Sequence, residues 1–308
     1  MMVTKFDLLS QMLTLIRLRG ELVFSSDLRE PWALQFDPGP AYFHVVSEGE
    51  FWVETSNERP VKAVSGDLLM LPHGRGHWLR TADASPVSIT HVLEAQAHQE
   101  SLAIRLGGNG PRTQLVSGAF RFEGENMPSI LESLPSLIHI PKDKRVDEIG
   151  WLEALAHYLL LEAQAPQPGA ALMISRLIDL VVIRTLRNWV HIAPARSTGW
   201  LGALADVRIS RALKAVHDEP FRRWTVSGLA QVAGMSRSSF AERFTALVGD
   251  PPLQYQTHWR LTLAKDLLES GNLLVSDVAR RIGYDSDAAF SRAFKTQFGF
   301  SPIAARKS

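Results

Sequence analysis

The sequence predicts a multidomain β + α protein: an N-terminal β-barrel with flanking helices, then a C-terminal all-α domain built from two helix-turn-helix units. Three observations predict it. Residues 32–93 run in short alternating apolar segments punctuated by glycine and proline, the pattern of brief strands separated by turns. Past Gly202 only helical spacing remains, and that stretch repeats itself about 50 residues on. The length of 308 residues suits about two domains of ordinary size. Hydrophobic residues at 45% and charged residues at 21% exclude a disordered or fibrous chain. With no cysteine, disulfides, thiolate zinc sites, iron–sulfur clusters and a cysteine nucleophile are excluded too, and a cytoplasmic location fits.

Taken in order, MMVTKFDLLSQMLTLIRLRG lacks the unbroken apolar run of a signal peptide and reads as an amphipathic helix. Tyr42, Val45, Phe51, Val53 and Leu68–Leu71 mark strands of a barrel spanning about residues 20–110. Gly107, Gly108, Gly110 and Pro111 mark a loop. Residues 127–140 and 146–163 return to helical spacing, AQAPQPGA breaks it, and Leu172–Val190 forms a long helix, so helices occupy about 127–192. The longest apolar region, Ala170–Val182, is interrupted by Ser175, Arg176 and Asp179, far short of the ~20 apolar residues of a membrane span; no membrane partner is expected. Pro194–Gly199 is the boundary, dividing 1–199 from 200–308.

Charge divides at the same place. Residues 204–308 hold 15 Lys and Arg against 10 Asp and Glu, net +5, while the remainder holds 18 against 22, net −4. A basic module on a mildly acidic partner is what nucleic-acid binding requires, although an acidic protein partner would suit it equally.

Within the basic domain, LAQVAG (Leu229–Gly234) recurs as VARRIG (Val278–Gly283), and 50 residues separate Phe240 from Phe290, Phe244 from Phe294, Gly249 from Gly299 and Pro252 from Pro302. Each copy is a short helix, a turn carrying glycine, a serine (Ser236, Ser286) placed to cap the next helix, and a second helix with phenylalanines four apart. The phenylalanines form the inner face, so the other residues of each second helix point outward. The units span about 225–248 and 275–298. Leu253–Glu269 between them is helical material of some 26 Å at ~1.5 Å per residue. It places the two outward helices of the order of 34 Å apart, one turn of B-DNA.

These residues resemble the AraC/XylS transcriptional regulators over all of 204–308. The segment VSDVARRIGYDSDAAFSRAFKTQFGFSP, with Gly283, Phe290, Arg292, Phe294, Phe298, Gly299 and Pro302, is similar to that family's signature. The resemblance implies base reading by Ser238, Ala241 and Glu242 in the first recognition helix and by Asp287, Ala288, Ser291 and Arg292 in the second. Arginine suits guanine, glutamate accepts from cytosine N4, and alanine touches a thymine methyl. Arg237, Arg243 and Lys295 fall where phosphate contact is implied. Glu242 departs from the family, which often has a basic residue there, so the first helix is expected to read fewer bases.

In the N-terminal half, GDLLMLPHGRGH carries Gly66, Pro72, Gly74 and His77, and FHVVSEGEFWV carries His44, Glu48 and Gly49. Both resemble the cupin barrel, specifically the cupin-like sensor domain of a subgroup of AraC-type regulators. A small barrel encloses one small ligand, with Trp32, Tyr42, His44, Phe51, His77, Trp78 and His91 as candidate contacts; Trp32 and Trp78 are expected near the mouth. The metal-binding cupin motif is degraded, since its second histidine would fall at Val46. A metal is therefore not expected; if one binds, His44, His73, His77 and His91 would have to regroup around it. The helices 146–191 carry apolar stripes (Leu155, Leu159, Leu172, Ile178, Val182, Leu186) suited to a homodimer, or to burial within the monomer.

The function expected is a sequence-specific DNA-binding transcription regulator and not an enzyme, with no certain cofactor. Its partners would be double-stranded promoter DNA, a small-molecule effector, a second copy, and RNA polymerase if it activates. A metal-dependent cupin enzyme with a helical interaction module and an effector-independent DNA-binding dimer are the alternatives.

Overall fold

The structure is a computed structural model and describes residues 17–56, 58–81, 84–96, 103–123, 134–144, 150–164, 167–192, 200–269, 271 and 273–306. The chain divides into two units, one holding the described residues from 17 to 192 and the other those from 200 to 306.

The first unit has two facing sheets. Strands β1 (Arg17–Arg29), β2 (Ala33–Phe36), β3 (Ala41–Glu48), β4 (Glu50–Glu54), β5 (Val61–Val64), β6 (Leu68–Leu71), β7 (His77–Arg80) and β8 (Val87–Ser88) lead into helix α1 (Ile89–Gln96). Strands β9 (Ala103–Gly107), β10 (Arg112–Glu123) and β11 (Ile138–Ile140) follow, then helices α2 (Trp151–Gln164) and α3 (Ala170–Ile192). One sheet runs β11-β6-β3-β10-β1-β9 and the other β5-β4-β7-β2-β8.

The sheets differ in what covers them. β3 is buried at six consecutive residues, because Tyr42, His44 and Val46 face the interior while Phe43 and Val45 lie under the helical layer; α2 packs on β1 and β3, and α3 on β1, β6 and β11. In β4 and β7 burial alternates strictly, as in a sheet with one wet face. Phe24, Trp32, Phe36, Phe51, Leu69, Leu79 and Leu115 pack in one cluster between the sheets. Gly118 lets Phe43 lie across β10, since a Cβ there would meet the ring at 2.2 Å.

Four expectations are corrected. Arg17–Gly20 is strand, not helix; residues 1–16 of that expected helix lie outside the described residues. β1 pairs antiparallel with β10 over its whole length and parallel with β9, and this long-range pairing overrides local helical spacing. Likewise Ile138–Ile140, expected as the end of a helix over 127–140, is a strand on Leu68–Met70 with both isoleucines buried; residues 127–133 lie outside the described residues. The barrel therefore draws strands from beyond residue 110, and Ile89–Gln96, inside the stretch expected to be all strands, is a helix. The six stripe residues named from the sequence need no correction: Leu159, Ile178, Val182 and Leu186 are buried within this unit, the alternative given beside a homodimer, and Leu172 is openly exposed.

The second unit is helical: α4 (Trp200–Ala205), α5 (Val207–Asp218), α6 (Val226–Ala233), α7 (Arg237–Val248), α8 (Pro252–Glu269), α9 (Val275–Arg281), α10 (Asp287–Phe298) and α11 (Pro302–Ala305). Ile209, Leu213, Leu229, Phe240, Phe244 and Trp259 are buried in its first half. Leu261, Leu268, Val278, Ile282, Phe290 and Phe294 form the core of the second. α8 packs against α7 on one side and α9, α10 and α11 on the other.

Candidate nucleic-acid interface and barrel interior

The two helix-turn-helix units are built alike, for local reasons. α6 starts at Thr225, whose hydroxyl accepts from the Gly228 N–H at 3.0 Å, and ends at Gly234 with φ 66°. Only glycine enters that left-handed region without cost. Ser236 then caps α7 by accepting from Ser239 N–H. In the second unit Gly283 takes φ 90° and Ser286 caps α10 by accepting from Ala289 N–H at 3.2 Å. Phe240 and Phe244 are fully buried with ring centroids 5.5 Å apart, and Phe290 and Phe294 repeat that distance.

With those faces inward, Arg237, Ser238 and Glu242 on α7 and Asp287, Ala288, Arg292 and Lys295 on α10 are exposed, and Ala241 and Ser291 are half-buried at the flanks. At 3.6 residues per turn, Glu242 and Arg292 stand opposite the phenylalanines, at the crest of each helix. Arg243 is placed differently. It lies on the flank of α7 facing the start of α5, where its Nε and Nη2 donate to Asp206 Oδ2 at 3.0 and 2.9 Å. Asp206 also caps α5 through the Arg208 and Ile209 amides. Burial opposes its ionisation, but the Ile209 amide and the Arg243 guanidinium outweigh that and hold the carboxyl below its ordinary range. Arg243, expected at phosphate, thus also makes an ion pair within the domain while its side chain stays 49% exposed; its partner lies 37 residues away, and no local pattern announces it.

This duplicated, capped, outward-facing arrangement is matched by known families. The Cupin family is matched over residues 7–191 and the Helix-turn-helix domain family over 229–308. A putative AraC-like transcription regulator of Streptomyces lividans is 34% identical over 306 residues, covering 98% of both chains. This chain belongs to the AraC-like transcription regulators. The HTH-type transcriptional regulator AlkR of Acinetobacter baylyi is a further relative, 33% identical over 84% of this chain and 85% of its own. Among solved structures, the DNA-binding domain of AdpA in complex with a target DNA is similar over 31% of this chain and 86% of its own, at 35% identity and a TM-score of 0.30. This regulator is a DNA-binding protein with a cupin domain ahead of its helix-turn-helix domain. No helix among the described residues is long and apolar enough to cross a membrane.

Inside the regulator's barrel, His44 and His77 come together across the two sheets. Their Nε2 atoms are 2.9 Å apart, and His44 Nδ1 lies 2.8 Å from the Ser117 hydroxyl. Phe36 stacks on His77 with centroids 4.3 Å apart, and Tyr42 stacks on His44. Burial pushes the His44 imidazole down to about 3, and burial with the neighbouring His44 puts His77 well below the ordinary range. Both rings are neutral, so one Nε2 donates to the other.

Of the other candidates in this unit, Phe51 and Trp32 lie in the same buried cluster, while His73, His91 and Trp78 are elsewhere. His73 donates from Nε2 to the Leu134 carbonyl at 2.7 Å, and His91 is exposed on α1. Among the described residues no three His, Asp or Glu side chains group to hold a metal. Trp32 is buried against Phe51 rather than at the mouth. Trp78 is 46% exposed on the outer face of its sheet, since His77 and Leu79 take the inner one. A cavity of about 20 Å³ at the barrel rim, bordered by Thr55, His73 and Arg75, holds about one water. Ser117, which completes the histidine pair, was missed; its place opposite His44 follows from the register of β10 on β3, which is not a local property.

Proposed function

We propose that this regulator is a cytoplasmic protein without enzymatic activity that grips promoter duplex with both recognition helices. Ser238, Ala241 and Glu242 of α7 and Asp287, Ala288, Ser291 and Arg292 of α10 face base edges, while Arg237, Arg243 and Lys295 meet phosphate, Arg243 from its place beside Asp206. The observation that carries this is the pair of matched crests, Glu242 and Arg292, each presented by buried phenylalanines and a serine cap. The protein acts as a homodimer, answers to a small-molecule effector through its N-terminal unit, and contacts RNA polymerase where it activates. Effector control requires different affinity for two arrangements of the protein.

Gel shift of the full chain on DNA flanking its own gene tests the grip. Retardation that falls steeply with salt and drops in Arg292→Ala is expected; no retardation even at low salt overturns it.

One observation favours a second reading, in which the barrel is structural and binding is effector-independent. Its interior is filled by the aromatic cluster around the His44–His77 pair. Thermal shift against a metabolite panel separates the two, because a ligand at ~100 times its Kd stabilises by about 2.7 kcal/mol.

A further inference from the structure

The long helix α8 is not the only connection between the two helix-turn-helix units. The loop between α5 and α6, residues 219–225, belongs to the first unit by sequence, yet it is held at three points by α8 and by the second unit. Arg260 of α8 donates from Nε to the Pro220 carbonyl at 2.7 Å and from Nη2 to the Arg222 carbonyl at 2.6 Å. Gln256, one turn earlier, donates to the same Arg222 carbonyl at 2.8 Å. Phe221 packs against the core of the second unit, with Arg281 of α9 over its ring.

From this anchored loop Arg223 reaches the turn of the second unit. Its Nη2 donates to the Gly283 carbonyl at 3.0 Å and to Asp285 Oδ1 at 2.7 Å. Gly283 is the left-handed turn residue, and Asp285 immediately precedes the serine that caps α10. A tilt or slide of α10 relative to the first unit therefore has to stretch or break these bonds.

We propose that Arg223 is a positioning residue that fixes the spacing between the two recognition helices by bridging the first unit to the Gly283–Asp285 turn. The proposal rests on the reading above that both helices enter DNA. Its effect is on geometry rather than fold stability. The Arg223 side chain is 67% exposed and Asp285 90%, and an exposed ion pair adds little to stability. Two linked heads, however, bind with an effective concentration that depends on how well their separation is held. A stiff bridge concentrates the second head at one spacing; a broken one spreads it over several.

The test uses duplexes selected from a random pool by the full-length wild-type chain. They are remade with one base pair inserted or deleted between the two blocks of selected bases, or with one block scrambled. Wild type is expected to lose tenfold or more on respacing. Arg223→Ala and Asp285→Asn are each expected to weaken binding to the selected duplex several-fold and to reduce the respacing penalty, while affinity for the single-block duplex and the melting temperature stay unchanged. A respacing penalty that both variants leave intact overturns the bridge. So does a uniform loss in Arg223→Ala that includes the single block, lowers the salt slope by about one and is opposed by tighter binding in Asp285→Asn; Arg223 would then be a phosphate contact that Asp285 restrains. Wild type that selects no duplex sinks the DNA-binding reading itself, a result distinct from either of these.

Discussion

The imidazoles of His44 and His77 meet nitrogen to nitrogen at 2.9 Å in the middle of the barrel, one from each sheet. A proton added to either ring places a charge among Phe36, Tyr42 and the rest of the aromatic cluster, where the second imidazole and Ser117 are its hydrogen-bond partners among the described residues. The pair therefore tolerates one charge state and ties the two sheets together only in that state.

The pH dependence follows. His44 has a folded value of about 3 against an ordinary 6.5, so between these values the unfolded chain takes up a proton that the folded chain refuses. Stability is complete above about pH 6.5 and is lost as pH falls toward 3, at roughly 1.4 kcal/mol per pH unit for each such group. His217, buried in the helical unit against Trp259 and Tyr255, is also pushed down to about 3 by burial and adds the same sign there. Urea midpoints measured from pH 7.5 to 5 are expected to fall, less steeply in His44→Gln. Midpoints flat over that range would refute the neutral pair.

The recognition helices should not contribute equally. Glu242 and Arg292 occupy equivalent crests 50 residues apart, one repelled by the phosphate backbone and the other attracted to it. Arg292→Ala is expected to cost ~1–3 kcal/mol of specific binding and to relax choice at one base pair. Glu242→Ala should relax choice at another position with total affinity unchanged or raised. Quantitative gel shifts on single-base operator variants check both. Equal losses of affinity from the two substitutions would contradict the assignment of crests.

Fold and binding separate at the inner face. Phe294→Ala empties a fully buried position and is expected to cost ~3–5 kcal/mol, whereas removing either serine cap, Ser236→Ala or Ser286→Ala, should cost about 1 kcal/mol. Thermal unfolding measures these. Phe294→Ala with an unchanged melting temperature would mean that α10 packs some other way.

How much of this was legible in the sequence depends on the range of the interaction. The caps at Ser236 and Ser286, the left-handed glycines and the outward crests are set within four or five residues, and local spacing displays them. The barrel was legible as short strands, but its extent was not. Arg17–Gly20 and Ile138–Ile140 become strands because partners some 70 to 100 residues away claim them. The same holds for side chains. Arg243 goes to Asp206, Trp32 to Phe51 and His73 to the Leu134 carbonyl, and nothing near each residue announces its partner. His44 and His77 were visible as motif histidines; their direct contact, and the absence of His73 and His91 from it, depend on which faces of two sheets meet.

The outer face of the helical layer yields the last expectation. The apolar stripe of α2 and α3 is wider than the barrel consumes: Leu159, Ile178, Val182 and Leu186 are buried beneath it, yet Tyr158 is 58% exposed, Leu161 47%, Leu172 63% and Met173 51%. These four lie toward the end where α2 and α3 join, two from each helix, and surface this apolar is commonly covered by another chain. If a second copy covers it, a Leu172→Glu, Met173→Glu double variant buries a charge in the dimer and none in the monomer. Sedimentation velocity at micromolar concentration is then expected to show wild-type dimer and variant monomer. The variant's melting curve at low concentration should stay close to that of wild type, since both side chains are more than half exposed in their own chain. A variant that remains dimeric would place the subunit contact elsewhere. In that event these exposed residues would not be the dimer surface, and the homodimer would have to be built from another face.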